Sequence, residues 1–207
     1  MAIRSIAKMG HPILRQIAES VEDPTSPKIA RLAEDMRETL EHIGASGIAA
    51  PQVFVSKRLV VYRMIAVRIP TGSSIEPVDW TVLVNPIITP LAEKTVPVWE
   101  RCLSIPGLHG KVPRYPRVSL SYQTLSGSSV SVEAHSTWAA LLQHECDHLD
   151  GRLYPSRMDD MSLLCFNDSP GALAEDAATQ PDQLDPLFLD LVTHWPDRER
   201  WLATVAN

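Results

Sequence analysis

"STWAALLQHECDHLDG", residues 136–151, is the stretch of sequence that decides the fold of this chain. It contains no helix breaker before Gly151, and Ser136 or Thr137 can cap its start, so it predicts a helix. Apolar residues cover nearly the whole circumference of this helix, which indicates that it is buried inside the domain. The fold is therefore expected to be built around a central helix that carries polar side chains into the core.

The polar residues of this helix form the pattern HExxH. His144 and His148 lie one turn apart on the same face and can share a metal ion, while Glu145 lies beside them, within reach of a metal-bound water. HExxH also arises by chance, and a surface helix with scattered polar residues is the competing interpretation. Buried histidine and carboxylate groups without partners would each cost roughly several kcal/mol, so a metal ion is the simpler explanation on an apolar helix.

The rest of the chain favours an α+β fold with helices flanking a run of strands. Residues 28–43 place apolar side chains at three- and four-residue steps, which predicts an N-terminal amphipathic helix. Residues 44–53 are predicted to form a small-residue turn. β-branched and alternating segments follow as predicted strands at 58–67, 80–88, 117–125 and 129–134. We expect antiparallel or mixed β-sheets packed around the buried central helix.

Composition excludes several classes of protein. The chain has 207 residues, of which 44% are hydrophobic, and no apolar run is long enough to span a bilayer. Its start lacks the pattern of a signal peptide, and its three cysteines are too few for a disulfide framework. These features predict a cytoplasmic protein with reduced thiols and no membrane partner.

Charge divides the chain into two predicted parts. Residues 168–207 carry eight acidic residues and two arginines, so the formal net charge of −6 resides there. An acidic segment without a basic stripe argues against direct DNA binding. We predict a catalytic domain over residues 1–165 and an acidic extension over 166–207. Within the extension, 167–183 resembles a polar linker, 184–192 predicts a short amphipathic helix, and Trp195 and Trp201 could dock it.

A catalytic zinc-type site needs about three protein ligands, and the helix supplies two. The next histidine after it is His194, deep in the acidic extension. Upstream candidates are His109, His135 and Cys102, although a lone cysteine is more often a small buried hydrophobe than a ligand. Spacing alone leaves the third ligand open.

Two acids in the last turn of the helix, Asp147 and Asp150, oppose the helix dipole and require basic partners. Arg114 or Arg152 could supply them. Asp147 is spaced three residues from His144, which places it near the metal-binding face. A solvated helix end is the alternative, and it applies better to Asp150 than to Asp147.

Three stretches taken in order resemble the three motifs of the peptide deformylases: "GIAAPQ" (47–52), "ERCLS" (100–104) and "QHECDH" (143–148). The resemblance runs from about Ile6 to Met158 and does not cover the acidic extension. It implies that Cys102, His144 and His148 bind the metal. The family's metal is ferrous iron (Fe2+), with Zn2+, Ni2+ or Co2+ as substitutes, and a cysteine with two histidines suits all four.

The resemblance also implies the reaction, which is removal of the N-formyl group from N-formylmethionyl nascent polypeptides with release of formate. Glu145 would be the general base and then the acid. Gln52 and the backbone N–H of Leu103 would stabilise the oxyanion. Gly47 and Ile48 would lie against the substrate, with Gly47 allowing a close approach and supplying a positive φ. Some deformylases contact the ribosome through a C-terminal helix, but the acidic extension argues against such a contact here unless it is made with ribosomal protein. The extension could instead form a lid or a dimer contact, and the oligomeric state stays open.

Glu100 and Arg114 also match family positions. With Asp147 they could form a buried ion network that orients the metal ligands, and separate surface pairs are the alternative.

The chain departs from the family pattern in each motif region. Ala45 and Arg101 stand where the family has glycine, and Ile48 where it has leucine. Before the third motif the family often has Gly-Phe and an arginine, where this chain has Ser136, Thr137 and Ala140. Arg101 would narrow or recharge the methionine pocket if its side chain points into the site. A deformylase-like amidase of altered preference, or a metal-binding module with little activity, are the alternatives that these departures motivate.

Overall fold

The computed structural model describes residues 3–169 and 171–193. Its helices are α1 (Pro27–Ile43), α2 (Ser136–Leu149), α3 (Ala172–Thr179) and α4 (Pro186–Thr193). Its strands are β1 (Gly47–Ala49), β2 (Leu59–Met64), β3 (Val78–Pro90), β4 (Val96–Cys102), β5 (Ile105–Arg114), β6 (Arg117–Gln123), β7 (Ser129–His135) and β8 (Cys165–Phe166).

Two antiparallel sheets organise these strands. The first has the order β1-β2-β3-β6-β7 and the second the order β4-β5-β8, so β1 and β4 each lie at a sheet edge. Among the described residues, no helix is long and apolar enough to cross a membrane. The predicted α+β class, with antiparallel sheets around a central helix, is confirmed.

Helix α1 agrees with the prediction from its periodicity. Pro27 occupies the first turn, where its missing N–H costs nothing, and Gly44 ends the helix in the left-handed conformation with φ 75°. Leu32, Met36 and Leu40 point into a core cluster that also contains Ile48 and Val61. The helix therefore covers one face of the first sheet.

Helix α2 is buried as its apolar circumference predicts, with ten of its fourteen residues buried. Leu142 and Leu149 pack with Val60, Leu83 and Leu120 from the first sheet, and each of these five side chains is 0% exposed. Truncating such a leucine to alanine costs about 2–5 kcal/mol, because the cavity left behind collapses only in part. This packing sets the orientation of the face of α2 that carries His144 and His148.

The structure differs from the sequence-based expectations at the start of α2 and in the segment 44–53. His135 is the N-cap residue and no side chain caps the helix, while Ser136 has φ 53°, so neither Ser136 nor Thr137 acts as the predicted cap. The predicted small-residue turn includes strand β1 and a 3-10 helix, Ala50–Val53. β1 pairs with β2 through Gly47 and Tyr62, which turns this segment into a sheet edge.

The acidic extension is folded where it is described. Helix α4 agrees with the helix predicted at 184–192, but the linker predicted at 167–183 is wrong across α3. Both helices pack against Trp99 of β4 through a cluster of buried apolar side chains: Leu173, Leu184, Phe188 and Leu191. The sequence-based interpretation missed this cluster because its apolar residues are spread among acids. Trp195 and Trp201 lie outside the described residues.

Candidate active site

The thiol of Cys102 and the imidazoles of His144 and His148 converge at the junction of β4 and α2. Their candidate ligand atoms all lie within 4.8 Å of one another, and all three side chains are buried. Cys102 Sγ lies 3.3 Å from Nε2 of His148. One sulfur and two nitrogens in this arrangement could hold a single ion such as zinc or ferrous iron.

Hydrogen bonding fixes the orientation of His144. Its Nδ1 lies 2.7 Å from Oε2 of Glu100, which leaves Nε2 as the nitrogen available to a metal. Burial of Glu100 would raise the pKa of its carboxyl group, but Arg114 and His144 outweigh burial and lower that pKa to about 2. Glu100 is therefore an anion at neutral pH and a permanent acceptor for His144.

The two neighbouring histidines favour the thiolate form of Cys102. Burial alone would raise the pKa of Cys102, yet the neighbouring His148 and His144 hold that pKa well below its ordinary value. The deprotonated thiolate is the form that binds metal ions.

Two buried polar atoms at this cluster bear on whether its residues could bind an ion. Oε2 of Glu145 and Nδ1 of His148 are both buried without a hydrogen-bond partner in the described part of the chain. A buried polar atom left unpaired costs about 1–3 kcal/mol, so something outside the protein is expected to satisfy it. A water beside the ligand atoms would satisfy Glu145. The donor set and this unpaired oxygen together fit a metal ion with a coordinated water.

Gly47 allows the backbone of β1 to pass directly over the Glu145 carboxylate. A Cβ placed on Gly47 would lie 2.8 Å from Cδ of Glu145 and closer still to Oε1. Gly47 is not among the glycines with positive φ, so that part of the prediction is wrong. A glycine is required at position 47 because the backbone of β1 lies so close to the Glu145 side chain.

Gln52 directs its side-chain amide at the cluster. Its Oε1 accepts a hydrogen bond from the backbone N–H of Ala49 at 2.9 Å, which fixes the orientation of the amide. Its Nε2 therefore faces Sγ of Cys102 at 3.6 Å and Oγ of Ser104 at 3.2 Å. Leu103 follows Cys102 directly, and its carbonyl accepts a hydrogen bond from Nζ of Lys8 at 2.9 Å. Gln52 and Leu103, the residues predicted to stabilise the oxyanion, thus lie beside the candidate metal ligands.

A buried ion network connects β4, β5 and α2. Arg114 donates from Nε to Oε1 of Glu100 at 2.6 Å and from Nη1 to Oδ2 of Asp147 at 2.6 Å. The structure thus brings together the three residues for which the sequence predicts a network. Arg157 is a fourth member that sequence reasoning missed, with Nη2 2.5 Å from Oδ1 of Asp147. No pattern in the sequence links Arg157 to this site.

The expected partner of Asp150, at the C-terminal end of α2, is corrected. Asp150 pairs with Arg58 at 2.8 Å, and not with Arg114 or Arg152. Cys146 is buried outside the ligand cluster, and that burial raises the pKa of its thiol.

His109 and His135, the other two candidates for the third metal ligand, lie outside the ligand cluster. His109 packs against the rings of Trp99 and Phe188, and His135 ends β7.

The ligand cluster opens into a cleft of about 1170 Å³. Gly47, Gln52, Arg101 and Leu103 line it, as does Ala45. The side chain of Ile48 is 0% exposed in the α1 cluster, so only its backbone could contact a substrate.

Arg101 does not point toward the candidate metal ligands. Its guanidinium lies over the ring of Phe188 in α4, with Cζ 5.1 Å from the ring centroid. Glu100 and Cys102 project from β4 toward the ligand cluster, and Arg101 projects from the opposite face.

The chain is similar to a known protein family and to individual members of it. Residues 3–163 match the family model described as polypeptide deformylase. "Peptide deformylase 1" of Nitrosomonas europaea is 39% identical over 84% of this chain and 99% of its own length. "Peptide deformylase 1" of Bordetella pertussis is 41% identical over 80% of this chain and 93% of its own.

Solved structures are also similar. A Met-Ala-Ser-bound class I type b peptide deformylase from Acinetobacter baumannii has a TM-score of 0.68 and 33% identity, with 76% of this chain and 100% of that chain covered. An actinonin complex of the Synechococcus elongatus deformylase has a TM-score of 0.67 and 30% identity, with 77% and 82% covered. The family match ends at residue 163, so α3 and α4 lie outside it.

Proposed function

The chain belongs to the peptide deformylase family, and we propose that Cys102, His144 and His148 hold the metal ion with which it removes N-formyl groups from N-formylmethionyl polypeptides. The observation that carries this assignment is the convergence of one thiolate and two imidazoles within 4.8 Å beside the buried carboxylate of Glu145. We propose Fe2+ as the native ion, with Zn2+, Ni2+ or Co2+ as substitutes. When bound, such an ion supplies a Lewis acid and a water that ionises near neutral pH.

Glu145 is proposed as the general base. Its buried Oε2 has no hydrogen-bond partner in the described part of the chain, and accepting the proton of a nucleophilic water would satisfy that oxygen. Burial raises the pKa of Glu145, although His144 and His148 act in the opposite direction, so the carboxyl group is better able to hold a proton than an exposed glutamate. The same carboxyl group then passes the proton to the departing amine.

Gln52 and Leu103 are proposed to stabilise the negative charge that develops on the formyl oxygen. The Gln52 amide is already oriented by Ala49 and does not need to reorganise during the reaction. One preorganised donor of this kind contributes about 3 kcal/mol to transition-state stabilisation. The N–H of Leu103 would be the second donor, since this residue directly follows Cys102.

The sheet edges suggest how a peptide enters. β1 and β4 are both edge strands, and residues of both line the cleft. An extended peptide could therefore add as a strand between them, using backbone hydrogen bonds that do not depend on its sequence. This mode suits an enzyme whose substrates are many different nascent chains.

We propose residues 1–165 as the catalytic domain, working in the cytoplasm on nascent chains as they leave the ribosome. Arg101 faces away from the ligand cluster, so this departure from the family pattern gives no reason to expect an altered acyl preference. The network of Glu100, Arg114 and Asp147 would hold His144 in position for the metal.

The proposal is tested with anaerobically purified, iron-loaded protein and the substrate formyl-Met-Ala-Ser, with formate release as the measurement. Glu145→Gln is expected to bind the same amount of metal and to release formate at least about 100-fold more slowly. Cys102→Ala should lose the metal, and the matched variant Cys146→Ala should keep it. Metal-loaded wild-type protein that releases no formate would overturn the proposed function.

A further inference from the structure

The face of β4 that points away from the metal ligands is covered by the acidic extension. Trp99 and Arg101 project from this face, and Nε1 of Trp99 donates to Oδ2 of Asp176 in α3 at 2.7 Å. Lys111 of β5 pairs with the same Asp176 at 2.7 Å. The extension is therefore attached to the catalytic sheet by polar contacts as well as by the buried apolar cluster around Trp99.

A second attachment reaches across the cleft. Asp185, just before α4, accepts from Nη2 of Arg68 at 2.9 Å and from Nε of Arg68 at 3.2 Å. Asp185 also accepts from the backbone N–H of Leu187. Both Asp185 and Leu187 line the same cleft as the metal ligands, together with Phe188. Helix α4 thus forms a wall of the substrate cleft, although it lies beyond the part of the chain that matches the family.

Arg101 is the group in this wall that lacks a complementary anion at hydrogen-bonding distance. Its guanidinium stacks on Phe188 but makes no hydrogen bond or salt bridge within residues 3–169 and 171–193. The negative charges of Asp185 and of Asp190 in α4 both act on Arg101 from beyond hydrogen-bonding distance, and Asp185 is already engaged by Arg68 and Leu187. A guanidinium offers five N–H donors, and donors that are shielded from water without an acceptor are costly. A carboxylate delivered by a ligand would satisfy Arg101 through paired, charge-assisted hydrogen bonds.

The alternation of side chains in a strand indicates which part of the substrate reaches Arg101. A peptide that adds to the β4 edge presents successive side chains to opposite faces of the sheet. If the methionine side chain lies on the face with Glu100 and Cys102, the next side chain lies on the face with Trp99 and Arg101. The side chain of the residue that follows methionine would therefore lie against α4.

We propose that α4 and Arg101 form a subsite for the residue that follows formylmethionine, and that this subsite prefers an acidic side chain. The inference rests on the proposed deformylase function and specifies its substrate class. Phe188 supports the guanidinium, the Arg68–Asp185 pair holds the start of α4 in place, and Arg101 makes the contact with substrate. Arg101 lies within the family match, whereas Phe188 and Asp185 lie in the extension beyond it, so the complete subsite is not expected of relatives that lack the extension.

The test compares formate release from formyl-Met-Asp-Ser, formyl-Met-Asn-Ser and formyl-Met-Lys-Ser by the full-length, iron-loaded protein. We expect kcat/KM for the aspartate peptide to exceed that for the lysine peptide about tenfold, with the asparagine peptide between them. In Arg101→Gln, this ratio should fall to about twofold or less. Phe188→Ala should lower it to an intermediate value, since the guanidinium loses its support. Arg117→Gln, which changes an exposed arginine of β6, is the matched control and should keep the wild-type ratio.

The outcomes separate this inference from the proposed function. Formate from all three peptides at rates within about twofold of one another would overturn the acidic subsite and leave the deformylase function intact. A tenfold preference that persists in Arg101→Gln would overturn the role of Arg101, and Phe188→Ala decides the same point if Arg101→Gln does not fold. Absence of formate from every peptide would overturn the proposed function and this inference with it.

Discussion

Replacing Arg114 with methionine should destabilise the protein strongly, because it leaves two buried carboxylates short of their partner. Arg114 has 4% of its side chain exposed and contacts Glu100, which has 6% exposed. Arg114 and His144 together lower the pKa of Glu100 from 4.5 to about 2, which corresponds to a contribution of about 3 kcal/mol shared between these two partners. Breaking a buried ion pair by removing one partner costs about 3–5 kcal/mol, which agrees with this value. For a chain of this size, such a loss lowers Tm by roughly 6–20 °C.

The pH dependence of this effect has a definite sign. A carboxyl group whose pKa is lowered by folding stabilises the native state above its unfolded-state pKa, and this contribution is lost as pH falls through the folded-state value. The contribution of Glu100 should thus be complete at pH 6 and above, decline below pH 5, and be about half lost near pH 3, since its folded pKa is about 2. The difference in stability between wild type and Arg114→Met should shrink over the same range.

The assay is urea unfolding of metal-free wild-type and Arg114→Met protein, followed by circular dichroism at several pH values between 7 and 3. Arg117→Met is the matched control, because Arg117 and Glu133 form a surface pair with 60% and 67% of their side chains exposed. Such pairs contribute under about 1 kcal/mol. A loss below about 1 kcal/mol for Arg114→Met at pH 7, or a loss that does not change with pH, would refute the reasoning.

Three further predictions concern the site. Gly47→Ala should lower kcat at least about tenfold without loss of metal, because the added Cβ displaces Glu145; full activity would contradict the close approach seen here. Gln52→Ala should lower kcat by about 100-fold at unchanged metal content, and a change in KM alone would show that its amide does not act on the transition state. Iodoacetamide at pH 8 should modify Cys165, which is partly exposed, and leave Cys146 unmodified, since Cys146 is buried and burial raises its pKa. Mass spectrometry of the metal-loaded protein checks this, and rapid modification of Cys146 would contradict it.

The elements that could be predicted from the sequence are those with a strong local signal. Helices α1 and α2 have clear periodicity or an apolar surface on every side, and both form within one or two residues of the predicted bounds. The small residues of β1 gave no such signal, and its partner β2 lies more than ten residues away along the chain. The missed helix α3 shows the same limit, because its buried Leu173 has its partners in β4 and α4.

For the candidate site, the sequence by itself determined that His144, Glu145 and His148 share one buried helix, since their spacing sets their common face. It also singled out Cys102 through the order of three motifs. Only the tertiary structure decided that Arg157 joins the ion network, that Gly47 makes room for Glu145, and that Arg101 faces α4. The reason is physical: spacing along a helix or strand fixes neighbours a few residues apart, whereas contacts between distant segments depend on how the sheets and helices pack.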